Sequence, residues 1–292
     1  MTAPTERPLD GLTAIVTGAG RGLGRAEALE LARLGAAVVV NDYGQPGRDG
    51  SGAASADPAE ETAAEIRAAG GEAVAHAGDV ADHATARGLV QQAVDRWGKL
   101  DVLVNNAGIL RDRMVFSMTE DEWDSVIRVH LKGHFNTTRF AAAHWRERSK
   151  AAGEAVYGRI VNTSSEAFLA GSAGQPNYAA AKGGIVGLTT SSALALAKYG
   201  VTVNAICPRA RTRMTEDVFA GFEVPGTGLS TRWPPNTSRP SSATWPRPPR
   251  RGSTGSCSWC TAAWSRWSNG PRWRRSSTPR RTPSRTRSWT AS

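Results

Sequence analysis

The 292-residue chain carries a formal net charge of +10, which taken whole points to nucleic acid. Residues 230–292, however, hold 13 Arg and no Lys, Asp or Glu, so residues 1–229 are net acidic and the basic character belongs to the tail. Three cysteines exclude a disulfide framework. No run reaches the ~18 apolar residues of a membrane span, and Met1–Asp10 lacks the apolar core of a secretion signal. These features predict a cytoplasmic protein with no membrane partner and one well-buried domain over residues 1–229.

Leu12–Thr17 is a short apolar run ending at a glycine cluster, and Arg25–Leu34 has helical periodicity. Ala36–Asp42 is a second continuous apolar run, the pattern of a strand buried on both faces. Tyr43–Pro58 is rich in Gly, Ser and Asp and reads as a loop, followed by a helix over Ala59–Ala69. Ala73–Ala77 reads as a strand, Ala84–Trp97 as a helix and Leu100–Val104 as another buried strand. Two helices fill Glu120–Lys150 around a break near Gly133. Arg159–Thr163 is a strand, Asn177–Lys198 a long helix and Val201–Ile206 a sixth strand. Regular alternation of strand and helix predicts an α/β fold, a doubly wound parallel sheet of the Rossmann-like kind.

The glycine cluster is Thr17-Gly18-Ala19-Gly20-Arg21-Gly22-Leu23-Gly24. A strand running through such a turn into a helix directs backbone N–H groups and the positive helix end at a pyrophosphate. Absent Cβ atoms at Gly18, Gly22 and Gly24 allow the close approach. Glycine-rich turns are common, so the motif alone is weak. Asp42 strengthens it: it ends the second strand, where a carboxylate accepts hydrogen bonds from ribose hydroxyls and repels a 2′-phosphate. That favours NAD over NADP, with Arg21 as the opposing signal because a cation in the turn suits the extra phosphate. Asp79-Val80 follows the third strand and is placed to meet adenine, although an ordinary strand-end turn reads the same way.

Tyr178-Ala-Ala-Ala-Lys182 puts a phenol and an amine one helical turn apart, with Ser165 thirteen residues upstream. A free tyrosine titrates near 10, so a tyrosine acting as a base near pH 7 needs a drop of ~3 units, about 4 kcal/mol. The Lys182 ammonium, with a positive nicotinamide beside it, can stabilise the phenolate. Lys182 can also bond the nicotinamide ribose, and Ser165 can donate to the substrate oxygen. A Tyr-x-x-x-Lys pair alone is most simply a solvated helix face; Ser165 and the dinucleotide motif upstream reverse that reading.

Together these residues resemble the short-chain dehydrogenase/reductase family over roughly Leu9–Leu229, including Asn105-Asn106-Ala107-Gly108 after the fourth strand. The resemblance implies a secondary-alcohol/ketone oxidoreductase using NAD(P). It makes Ser165, Tyr178 and Lys182 catalytic and places Asn106, Ala107, Gly108 and Pro208 beside the cofactor. Thr212 would then reach the carboxamide. The family is usually homo-oligomeric. Where it carries a relay Asn seven residues after a Trp, this chain has Trp123 and His130. His130, Val40-Asn41-Asp42 and Pro208-x-x-x-Thr212-Arg213-Met214-Thr215 are similar to a (3R)-hydroxyacyl-CoA dehydrogenase branch, which implies a 3-hydroxyacyl thioester substrate. Two roles are open for His130: a proton relay, or a packing residue whose ring bonds a backbone carbonyl. The family's usual Pro-Gly after the sixth strand is Pro208-Arg209 here, and Ala210–Leu229 is the stretch that closes over nicotinamide and substrate.

From Ser230 the pattern stops. The last 63 residues contain no Leu, Ile, Val, Met, Phe or Tyr but seven of the ten Trp. Such a composition predicts disorder and the loss of the family's last strand. Cys257-Ser-Trp-Cys260 lacks partner ligands for zinc, and no metal is expected. The Arg/Trp mixture also suits single-stranded nucleic acid, but an out-of-frame translation explains more. Joining the third base of each codon to the next two makes Trp233-Pro234 encode Ala and Trp259-Cys260 encode Val. Continued with permitted codons, that frame yields segments resembling the family's late helix and last strand with its Gly-Gly.

Overall fold

The structure, a computed structural model, describes residues 7–208. Six parallel strands form one sheet in the order β3-β2-β1-β4-β5-β6. They are β1 (Thr13–Thr17), β2 (Ala37–Asp42), β3 (Ala73–Ala77), β4 (Val102–Asn105), β5 (Gly158–Thr163) and β6 (Val201–Ile206). Helices separate them: α1 (Gly22–Arg33), α2 (Asp57–Ala68), α3 (His83–Trp97), α4 (Glu120–Ile127), α5 (Gly133–Ala152), α6 (Ala167–Ala170) and α7 (Pro176–Leu196). This is the predicted doubly wound architecture. Its strand order reverses at β1, so the carboxyl ends of β1 and β4 bound the crevice where such sheets bind ligands.

The apolar runs are continuous because the central strands are covered on both faces. Val16, Val38, Val40, Val102 and Val104 pack against α1 and α2. Ile15, Val39, Leu103 and Ile160 point the other way, into α3, α5 and α7. Ile15 lies in register with both Val39 and Leu103. Trp145 of α5 is fully buried on that face, and its indole Nε1 donates to Leu100 O at 2.6 Å.

Three local features differ from expectation. α1 begins at Gly22, inside the glycine motif rather than at Arg25, so the turn and the helix end are one structure. The expected break near Gly133 is a π-helical turn over Arg128–Lys132 that runs directly into α5. Gly133, which opens α5, packs against Val80: a Cβ there would lie 2.8 Å from Val80 Cγ2. One turn of helix, α6, follows Ser165, where the sequence pattern assigns no element. The expected loss of the last strand, the Ala210–Leu229 segment with Thr212, and the 230–292 tail lie outside the described residues. Among the described residues, no helix is long and apolar enough to cross a membrane.

Candidate active site

The glycine turn is braced from two sides. Asn106, just past β4, donates from Nδ2 to Thr17 O and Gly18 O at 3.1 Å each, while Thr17 Oγ1 accepts from the N–H groups of Asn106 (3.0 Å) and Ala107 (3.2 Å). On the β2 side Asp42 Oδ2 accepts from Gly20 N at 2.8 Å, and Asn41 O from Ala19 N at 2.8 Å. Gly18 has φ +62°, and a Cβ there would lie 2.7 Å from Ala107 Cα, so two constraints require glycine. Gly22 has φ +57° and open space around it. α1 has no side-chain cap and no acidic residue in its first turn, so no side chain competes with a ligand for its first N–H groups. Those groups, the open space at Gly22 and the carboxylate of Asp42 fit a dinucleotide.

The remaining nucleotide-side residues have partners of their own. Asp79 accepts from Ala81 N at 2.9 Å and pairs with Arg128 at 2.6 Å. Val80 is buried, and its carbonyl accepts from Asn136 Nδ2 at 3.0 Å. Arg21 is exposed and donates to Gln45 O at 3.3 Å. Leu23 sits half-buried in the first turn of α1, and Gly24 presses on Gly18 so closely that a Cβ would collide with its carbonyl. Pro208 follows β6 and is half-buried.

β5 and α7 bring the other group together. Ser165 stands two residues beyond β5, its hydroxyl close enough to Tyr178, in the first turn of α7, to favour the phenolate. Lys182 lies one turn further on, 2% exposed, its Nζ donating to Thr163 O at 2.6 Å and 5.3 Å from the Tyr178 ring centroid. Asn177 was not a sequence candidate, yet it orients this turn. Fully buried, it donates from Nδ2 to Arg111 O (2.9 Å) and Glu122 O (2.8 Å), and its Oδ1 accepts from Tyr178 N at 2.7 Å. An Asn beside Pro176 at a helix start was the available signal. A second unanticipated group is a buried polar ladder. Asn105 Nδ2 donates to Asn162 Oδ1 at 2.9 Å, and Asn162 Nδ2 to Thr189 Oγ1 at 2.9 Å, joining β4, β5 and α7.

Burial governs the electrostatics. It holds the Tyr178 phenol above its ordinary value, with the Ser165 hydroxyl opposing. It pushes the Lys182 ammonium down to about 7. The sequence pattern led us to expect Lys182 to lower Tyr178; in the absence of another positive charge, desolvation is the larger effect and favours the neutral form of both. A consequence for stability follows. Between about pH 7 and 10.5 the unfolded chain keeps a proton on Lys182 that the folded chain has released. Stability therefore rises with pH through that window, by up to about 5 kcal/mol. Urea unfolding of the ligand-free protein at pH 7 and pH 9 should show this rise, and Lys182→Met should abolish it. An equal pH dependence in both proteins would refute the assignment.

His130 lies in the π-helical turn, fully buried, with Nε2 2.8 Å from Ile109 O and 3.1 Å from Ile109 N. Its ring meets Tyr178 edge-on, with centroids 5.2 Å apart. Gly108 makes room, since a Cβ there would strike the imidazole. Burial, with the nearby Lys182 charge, holds His130 well below its ordinary value, and His134, one turn on, at about 3. Both rings are therefore neutral near pH 7. His130 Nδ1, His134 Nε2 and Thr163 Oγ1 are buried without a hydrogen-bond partner.

The family model for short chain dehydrogenases matches residues 12–221. The chain is 58% identical over 212 residues to hydroxyacyl-CoA dehydrogenase ChsB1 of Mycobacterium tuberculosis, a match covering 72% of this chain and 65% of that one. It is 45% identical over 211 residues to peroxisomal multifunctional enzyme type 2 of Mus musculus, covering 72% of this chain but 27% of the relative. The chain thus matches just under two thirds of the first of these relatives and about a quarter of the second. Among solved structures, a short chain dehydrogenase from Mycobacterium avium superposes with a TM-score of 0.64 at 59% identity, covering 70% of this chain and 71% of that one. The chain belongs to the short-chain dehydrogenase family.

Proposed function

We propose that the chain is a cytoplasmic NAD-dependent dehydrogenase that interconverts a 3-hydroxyacyl thioester and its 3-keto counterpart. The observation that carries this reading is the Tyr178 phenol beside Ser165 and buried Lys182, whose Nζ donates to Thr163 O, at the end of the sheet that also bears the glycine turn. A nicotinamide held there would supply the hydride-transfer chemistry. Ser165 donates to the substrate oxygen and holds it at Tyr178. Tyr178 takes the hydroxyl proton during oxidation and returns it during reduction. Lys182, clamped by Thr163 O, stands where a phenolate's negative charge would draw its amine back to the charged form, and in that form it offsets the phenolate. Asp42 receives the ribose hydroxyls, which favours NAD, while Gly18, Arg21, Gly22, Leu23 and Gly24 cradle the pyrophosphate. Asp79, Val80, Asn106, Ala107, Gly108 and Pro208 line the rest of the dinucleotide path. His130 acts by position, holding Ile109 and the Tyr178 ring, because a neutral buried imidazole bonded to a peptide is poorly placed to exchange protons with water. The acyl thioester substrate is supported by the name of one relative, a hydroxyacyl-CoA dehydrogenase.

The composition change after Leu229 favours a second reading of competence: a dehydrogenase impaired because residues 230–292 are translated out of frame. Two measurements separate the readings. NAD at a hundredfold excess over Kd should stabilise an intact site by about 2.7 kcal/mol, seen as a Tm rise of several degrees. NADH formation should then favour 3-hydroxyacyl-CoA esters over simple secondary alcohols. Stabilisation without turnover of any ester supports the impaired enzyme, whereas no stabilisation by NAD or NADP defeats the dinucleotide reading. Sequencing the gene across the Leu229 codon decides the frame directly.

A further inference from the structure

The stretch after β2 read as an ordinary polar loop, but it folds into a compact excursion with its ends together. Gly44, at φ +77°, sits directly against Ser55, leaving no room for a Cβ, and residues 45–54 project from that neck. Internal bonds stiffen the excursion: Gly47 N donates to Ser51 O at 3.0 Å, and Asp49 Oδ1 accepts from Ser51 Oγ at 2.6 Å. Its base is tied to the nucleotide side, where Gly44 N donates to Asp42 Oδ1 at 2.7 Å and Arg21 reaches Gln45 O. Its tip reaches the segment leaving β4. Leu110 N donates to Arg48 O at 2.9 Å, and Arg111 Nε to Asp49 O at 2.6 Å.

The sheet order gives these contacts their meaning. β2 and β4 are the two neighbours of β1. A loop that leaves one and bonds the segment leaving the other must cross beyond the carboxyl end of β1, from which the glycine turn leaves. Arg111 is the side chain that closes this crossing. Its carbonyl is also the acceptor for Asn177, whose Oδ1 holds Tyr178 N.

We infer that Arg111 is a positioning residue that latches the 45–54 loop across the dinucleotide cleft. The inference rests on the dinucleotide reading proposed above and adds a kinetic role to it. With the latch closed, a bound dinucleotide is enclosed between the glycine turn and the loop, and release requires the Arg111–Asp49 bond to break. The same residue's peptide is fixed to Asn177, so the latch and the Tyr178 turn share one support.

Stopped-flow fluorescence of NADH displaced by excess NAD tests this without turnover. Arg111→Ala should speed NADH release about tenfold or more, the effect expected for losing a charged hydrogen bond, at unchanged Tm. Arg111→Lys, which can still donate to Asp49 O, should return the rate to within about threefold of the original. Asp121→Asn removes the other ionic partner of Arg111, 3.6 Å away, and should leave release unchanged. Replacing residues 46–53 by two glycines, on a solvent-facing loop, should reproduce the Arg111→Ala rate. Release at the wild-type rate in both Arg111→Ala and the shortened loop overturns the latch. Failure of the wild-type protein to bind NADH at all would instead remove the dinucleotide reading, and the latch with it.

Discussion

Tyr178→Phe is expected to lower kcat by about a thousandfold while changing NADH affinity far less. The size follows from the usual contribution of positioned proton transfer, on the order of 10²–10⁴-fold. The ring should keep its place, because its position is set by groups the variant retains. Asn177 Oδ1 still accepts from the backbone N–H of residue 178, and His130 still meets the ring edge-on. The hydroxyl alone is lost, with its interaction with Ser165. The wild-type enzyme should also show a directed pH response. Burial raises Tyr178, so the base form gains population as pH rises, and kcat/KM for alcohol oxidation should climb toward alkaline pH. Turnover of Tyr178→Phe within tenfold of wild type would remove Tyr178 from the proton transfer.

The second large effect concerns Asp42. Its two oxygens accept from Gly20 N and Gly44 N, yet each retains a second lone pair for a ribose hydroxyl. Charge-assisted bonds of this kind are worth roughly 1.5–3 kcal/mol. Asp42→Ala should therefore raise KM for NAD by about 10- to 100-fold and erase the preference over NADP, since the charge that repels a 2′-phosphate is gone. Asp42→Asn separates the two contributions. It keeps an acceptor for one backbone N–H and so holds the turn better, but it should relax discrimination against NADP nearly as far. Steady-state kinetics with both cofactors measure this. A wild-type protein that prefers NADP would show that Arg21 outweighs Asp42.

How much of this was legible in the residues varies with the kind of constraint. Buried strands were readable because both faces are covered, which leaves runs such as Val38-Val39-Val40 without polar interruption. Glycine positions were readable for a different reason: at Gly18 a positive φ and the press of Ala107 both exclude a side chain. The Tyr178/Lys182 pair was readable because helical pitch alone stacks residues four apart. The π-helical turn was not, since Arg128–Lys132 looks like any helical stretch, and the contacts of its His130 with Ile109 and Tyr178 join segments distant in sequence. Nor was Asn177, whose partners Arg111 and Glu122 stand 66 and 55 residues away.

By itself, then, the sequence determined what local rules govern: which segments are strands, where the chain needs glycine, and which residues are candidates for proton transfer and ribose recognition. Tertiary structure decided what depends on contacts between distant segments. It set the protonation balance of Tyr178 and Lys182, because desolvation is a property of the packed environment and not of the residue. It assigned His130 to a peptide rather than to solvent. It also turned a Gly/Ser/Asp-rich loop into a strap, because turn-forming residues specify how a loop bends but not the segment on which its tip comes to rest.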